Sequence, residues 1–123
     1  MTDSILTTTK KALGISADYT AFDPDIIMHI NSVFSTLNQL GVGPAVTFMI
    51  MDDTETWSEF IGTNQDINSV KTYMYLRVRL YFDPPATSFA LAAMEKQIEE
   101  LGWRLNVQGE EARYPWIPPE ETS

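Results

Sequence analysis

The stretch DPDIIMHINSVFSTLNQLG, residues 23–41, decides the fold class. Asp23 is a residue type that caps helices, and Pro24 then falls at the first helical position, where its missing N–H has no intrahelical partner to lose. Ile26, Ile27, Ile30, Val33, Phe34, Leu37 and Leu40 recur at three- and four-residue spacing until Gly41 stops the run. One face of a helix over this stretch is continuously apolar and must be covered by other elements. Residues 67–82 supply a second helix of a different kind. Ile67, Val70, Tyr73, Met74, Tyr75, Leu76, Val78, Leu80, Tyr81 and Phe82 leave it apolar nearly all round, the pattern of a helix in the middle of a bundle or at a subunit contact. Asp66 opens this helix and Asp83-Pro84-Pro85 ends it, since neither proline donates and the residue before a proline is pushed out of the helical region.

Working outward, Asp3 or Ser4 reads as the N-cap of a short first helix that reaches Leu13 and stops at Gly14. A loop with Tyr19 and Phe22 leads into residues 23–41. After Gly41-Val42-Gly43-Pro44, Val46, Phe48 and Ile50 alternate with Thr47 and Met49, which predicts a short extended segment. Thr56 followed by Glu59 is a capping box, so Trp57 to Ile61 is predicted as one helical turn. Thr87 or Ser88 starts a last helix carrying Leu91, Met94, Ile98, Leu101 and Leu105 on one side, with Glu100 and Arg104 at the favourable i,i+4 spacing. From Gly109 the composition turns acidic and rich in proline and aromatics. The expected architecture is all-α: four to five helices, a short extended segment after the second, a helical domain over 1–108 and an extended tail over 109–123.

Composition narrows the function. The chain has 123 residues, enough for one domain with its own core. It has no cysteine, which excludes disulfides, thiol catalysis and cysteine-based zinc sites and fits a reducing, cytosol-like compartment. No apolar run approaches the ~20 residues of a membrane span, and the N-terminus lacks the layout of a signal peptide. Seventeen acidic against eight basic residues give a net charge of -9, which opposes any sequence-independent grip on a phosphate backbone.

Nothing in the chain assembles a catalytic centre. His29 is the only histidine, with no second histidine to share a metal, and is read as a structural or surface residue. Asp52, Asp53, Glu55 and Glu59 lack the alternate spacing and central glycine of a calcium loop and are read as a solvated loop. Ser4, Ser16, Ser58 and Ser69 have no glycine elbow, and Gly41-Val42-Gly43-Pro44 lacks the lysine and following cap of a phosphate cradle. No cofactor, metal or small-molecule substrate is expected. Protein contacts are the better reading, and their candidates are Phe48 and Ile50 of the extended segment, Arg77, Arg79, Trp103, Tyr114, Trp116 and Ile117. Arg77 and Arg79 either snorkel or pair with acids of a neighbouring helix, or they meet another subunit. In the tail, Tyr114, Trp116 and Ile117 are costly to leave wet and are the usual anchors of an interface.

Three stretches carry a resemblance: Ile30-Asn31-Ser32-Val33-Phe34 with Leu37-Asn38-Gln39-Leu40-Gly41-Val42-Gly43-Pro44; Val70-Lys71-Thr72-Tyr73 through Arg77 to Phe82-Asp83-Pro84-Pro85; and Ile98-Glu99-Glu100-Leu101 with Trp103-Arg104-Leu105-Asn106-Val107. Over residues 3 to 108 the chain resembles the head-tail connector family of long-tailed bacteriophages and prophages, also described as adaptor, head-completion or DNA-packaging proteins. The resemblance implies a structural virion protein that forms a homo-oligomeric ring of roughly a dozen copies under the portal protein. Duplex DNA would pass through its lumen without tight binding, and its far side would receive a stopper or tail-completion protein. It implies no enzyme activity, a place at the head-tail junction of the virion, and host cytoplasm as the site of assembly. The competing expectation is a monomeric or dimeric helical adaptor or regulatory module.

Overall fold

A computed structural model of the chain describes residues 4–44, 47–61 and 67–113. Among them are five helices and no strand: α1 (Ile5–Ala12), α2 (Asp23–Gln39), α3 (Trp57–Ile61), α4 (Ile67–Phe82) and α5 (Ser88–Arg113). The fold is the all-α bundle that the apolar spacings predict.

The start of α1 is capped by Ser4, whose hydroxyl accepts the Thr7 N–H at 3.2 Å. It is also tied to a distant part of the chain. The Ile5 N–H donates to the Glu55 carbonyl at 3.0 Å, and Ser4 forms an isolated antiparallel bridge with Thr56. The helix α2 keeps its predicted course but not its predicted cap. Phe22 occupies the N-cap position without a side-chain hydrogen bond, while the Asp23 carboxylate lies 2.8 Å from the ammonium of Lys10. Burial explains the exchange: Lys10 is only 2% exposed, and an ammonium taken out of water needs a carboxylate more than solvent-facing helix N–H groups need a cap. Beside this ion pair, Lys10 donates to the carbonyls of Ala17 (3.2 Å) and Tyr19 (2.7 Å), so it staples the loop between α1 and α2 to both helices.

The end of α2 is a Schellman motif. Val42 donates to the Leu37 carbonyl at 2.9 Å and Gly41 to that of Asn38 at 3.1 Å, with Gly41 at φ +84°, a left-handed conformation that costs glycine nothing. The segment after it alternates as predicted, with Phe48 and Ile50 turned inward and Thr47 and Met49 outward; Val46 lies outside the described residues. It joins no sheet. The Asn31 side chain stands in for a neighbouring strand, donating to the Ile50 carbonyl at 3.0 Å and accepting the Ile50 N–H at 2.8 Å. The capping box of α3 closes in both directions, Thr56 N–H to Glu59 Oε1 at 2.9 Å and Glu59 N–H to Thr56 Oγ1 at 3.2 Å.

The central element is α4. It packs on α2 and on α5, and α1 lies against both α2 and α4. Val70, Tyr73, Met74, Leu76 and Val78 of α4 are buried together with Ile26, Ile30, Val33, Phe34 and Leu37 of α2, and with Met94, Ile98 and Leu105 from the inner face of α5. Asp66, the expected opening residue of α4, lies outside the described residues.

Two expectations at the C-terminal end need correction. The last helix does not stop before Gly109 but continues to Arg113. A glycine within a helix costs only about 1 kcal/mol against alanine, and the Glu110-Glu111-Ala112 that follows is made of good helix formers, so the ladder carries through. The expected tail therefore loses its first residues to α5, and Tyr114, Trp116 and Ile117 lie outside the described residues. Glu100 and Arg104 also do not close an ion pair; Lys10 with Asp23 is the only ion pair among the described residues. On an exposed helix face the Coulomb gain of such a pair is about as small as the entropy lost in holding it.

Candidate protein-binding surface

The candidate contact residues separate into three groups. Phe48 and Ile50 belong to the inside of the domain. Ile50 is 1% exposed, and Phe48 packs edge-on against Phe34 (5.2 Å between centroids) and Phe60 (5.4 Å). Ile50 is thus spent on the core and is unavailable to a partner: the alternation that marked both residues reports which way they point, and the apolar layer they reach is the domain's own. The same aromatic cluster fixes Gly43, where any Cβ would overlap the Phe60 ring.

Arg77 and Arg79 have no carboxylate of a neighbouring helix beside them among the described residues. They bond instead along their own helix. Arg77 Nη1 donates to the Tyr73 hydroxyl at 3.3 Å and Nη2 to that of Tyr81 at 3.1 Å, with the guanidinium 5.6 and 5.9 Å from the two ring centroids. Its Nε is buried and finds no acceptor among the described residues. Arg79 Nη1 donates to the Tyr75 hydroxyl at 3.2 Å and its Nε to the Asp83 carbonyl at 3.3 Å, next to the prolines that end α4. The i,i+4 spacing of tyrosine and arginine makes both ladders possible.

The Arg77 ladder floors a groove of about 210 Å³, walled by His29, Ser32, Val33 and Thr36 of α2 and closed by Tyr81. His29 stacks on Tyr81, with centroids 5.8 Å apart and planes inclined by 23°. It acts as a wall of the groove, in keeping with a structural or surface role.

Trp103 lies on a different face. The outer side of α5 carries Phe89 (86% exposed), Trp103 (70%) and Val107, and the indole borders a shallow depression with Glu99, Glu100 and Arg104. These positions fall one or more whole turns apart, opposite the stripe that Met94, Ile98 and Leu105 bury.

The acidic loop organises itself. Asp52 Oδ1 accepts the Thr54 hydroxyl at 2.6 Å and its N–H at 2.9 Å, and these bonds hold the carboxyl below the ordinary aspartate range. Glu55 accepts the N–H groups of Met51 (2.9 Å) and Asp52 (3.3 Å), and Glu59 serves the capping box. No group of three or more metal-ligating side chains among the described residues is placed to hold an ion. No helix of the described residues is long and apolar enough to cross a membrane.

Lys10 and Asn31 escaped the sequence reading. Lys10 pairs with Asp23 and the loop that follows its own helix, and Asn31 with a segment 19 residues on, and only the general rarity of a lysine or asparagine beside an apolar stripe signals either.

The described residues form a small helical bundle with two chemically distinct outer patches, one floored by an arginine and the other bearing an exposed tryptophan. The family model described as phage connector protein matches residues 5–112, and the chain belongs to that family. Comparison with curated proteins and with solved structures gives no match. Membership makes the chain a structural phage protein of the head-tail junction, a virion component that associates with head or tail proteins.

Proposed function

We propose that the chain assembles as a ring of roughly a dozen copies on the portal vertex, prolonging the DNA channel after packaging and receiving a stopper or tail-completion protein on its far side. The observation that carries this reading is the family match, which takes in all five helices and is therefore a match of the whole bundle. The net charge of -9 per copy supports a lumen that lets duplex DNA slide past. Assembly would take place in the host cytoplasm, and the acidic, aromatic segment after α5 would supply Tyr114, Trp116 and Ile117 to a neighbouring protein of the junction.

The test is the mass of the particle. Mixed with its cognate portal, the protein should give a stoichiometric complex with one cyclic set of copies per portal in native mass measurement. A chain that stays monomeric or dimeric in every portal and virion preparation returns the reading to a free helical adaptor.

A further inference from the structure

The geometry points to a specific contact between copies: the Arg77 groove of one subunit receives the Trp103 edge of α5 from the next, with Glu99 and Glu100 facing the guanidinium. This assignment rests on the ring proposed above and names the surfaces that would close it.

The groove asks for an acid it does not have. Arg77 offers five N–H donors, of which the tyrosine hydroxyls take two, and its charge has no carboxylate within ion-pair reach among the described residues. A guanidinium set into a fold without a counter-charge is costly, and a carboxylate arriving from outside relieves that cost. The size of the groove also selects its occupant. At about 210 Å³ it lies below the range of about 300–1,000 Å³ that encloses a small-molecule ligand, and it suits one or two side chains. Its lining of His29, Val33 and the half-exposed Tyr81 offers aromatic and apolar surface beside the cation.

The complementary chemistry sits on this same chain. Trp103 follows Glu99 and Glu100 by four and three residues, so the indole and both carboxylates project from one patch of α5, and neither acid is in an ion pair among the described residues. Phe89 and Val107 are exposed farther along the same side of the helix, with Lys96 between Phe89 and Trp103. The patch carries these two carboxylates against the single cation Arg104, and its acidic excess beside an indole complements the Arg77 groove, which makes the occupant a second copy. The groove belongs to α2 and α4 and the ridge to α5, so the two surfaces are different patches of one molecule. Where each copy gives its ridge to one neighbour and its groove to another, the contact is heterologous, the kind that closes rings; the reciprocal exchange between two copies would stop at a twofold dimer.

Cross-linking tests the register. The chain contains no cysteine, so the double variant Ser32→Cys/Glu100→Cys carries one thiol on the groove wall and one on the ridge, both at exposed positions. Treated with a short bismaleimide on its portal, it should give a ladder of multimers running past dimer and trimer toward the full ring. A product that stops at dimer overturns the heterologous contact, and so does the absence of cross-links in rings whose mass is complete. Failure of the wild-type chain to assemble on any portal overturns instead the ring on which the inference stands. As a second measurement, Glu99→Lys/Glu100→Lys, which alters only exposed side chains, should raise the concentration for half-assembly by about tenfold or more, and adding Arg77→Glu should restore part of the loss. Circular dichroism confirms folding in each case; wild-type assembly by a folded Glu99→Lys/Glu100→Lys variant overturns the contact.

Discussion

Lys10 is the side chain on which the N-terminal third of the domain turns. Its ammonium, almost wholly out of water, is held by Asp23 and by two loop carbonyls, so three segments converge on one nitrogen. Removing a partner from such a site strands the other charge. Lys10→Met should destabilise the fold by about 3 kcal/mol, and Asp23→Asn in the same chain should recover part of that loss. Urea unfolding checks both; a change under about 0.5 kcal/mol, the level of ordinary surface substitutions, would show that the pair is ornamental. None of this was legible from spacing. Asp23 carries the signature of a helix cap, and at the level of sequence a carboxylate that caps and one that neutralises a lysine are the same letter before a proline. Ile50 misleads similarly, because alternation reveals its inward side without revealing whose interior lies there.

At the scale of the element, the reading from sequence is sound where the local signal and the tertiary demand agree. The starts and stops around α2, the Thr56 and Glu59 box and the proline break after α4 are settled within a turn of chain, and these elements stand where their residues predict. The end of α5 depends on the sum of many small propensities, and a single glycine weighs more in a pattern than in the energy. The corrected end also sharpens the test of the segment that follows. Truncation after Arg113 spares α5 as a whole, and Trp116→Ala removes the largest candidate side chain alone. Each should leave the helical circular dichroism signal intact and weaken incorporation into particles by about tenfold or more, since burying one such side chain contributes about 1.5–3 kcal/mol. Wild-type incorporation by both variants would leave the aromatic segment without a role in attachment.

For the whole molecule, charge and surface separate two questions that the fold alone leaves together. The family places the chain at the head-tail junction and the proposed ring would surround DNA, yet only eight of its residues are basic and four of those, Lys10, Lys71, Arg77 and Arg79, are buried or half-buried. Counterion release needs several exposed cations acting at once. Duplex DNA should therefore bind the free protein more weakly than about 1 µM at physiological salt, with a shallow salt dependence. Submicromolar binding with a steep salt slope in a fluorescence anisotropy titration would contradict a lumen built for sliding. The tyrosine and arginine face and the tryptophan ridge were partly visible in the sequence as residues out of keeping with their neighbours. That they form two different patches, one lined by α2 and α4 and the other by α5, was not, because the relative rotation of α4 and α5 depends on packing and leaves no trace in either helix read alone.

The bridge between Ser4 and Thr56, with Trp57 Nε1 donating to the Thr8 hydroxyl at 2.8 Å, also bears on the order in which the chain is made. The partners are 49 residues apart. At the usual pace of translation, about 5–20 residues per second, α1 leaves the ribosome several seconds before the groups that complete its N-terminal end. Too short to persist as an isolated helix in water, it must wait as loose chain. Synthesis thus delays the closing of the N-terminal end until the acidic loop and Trp57 have emerged.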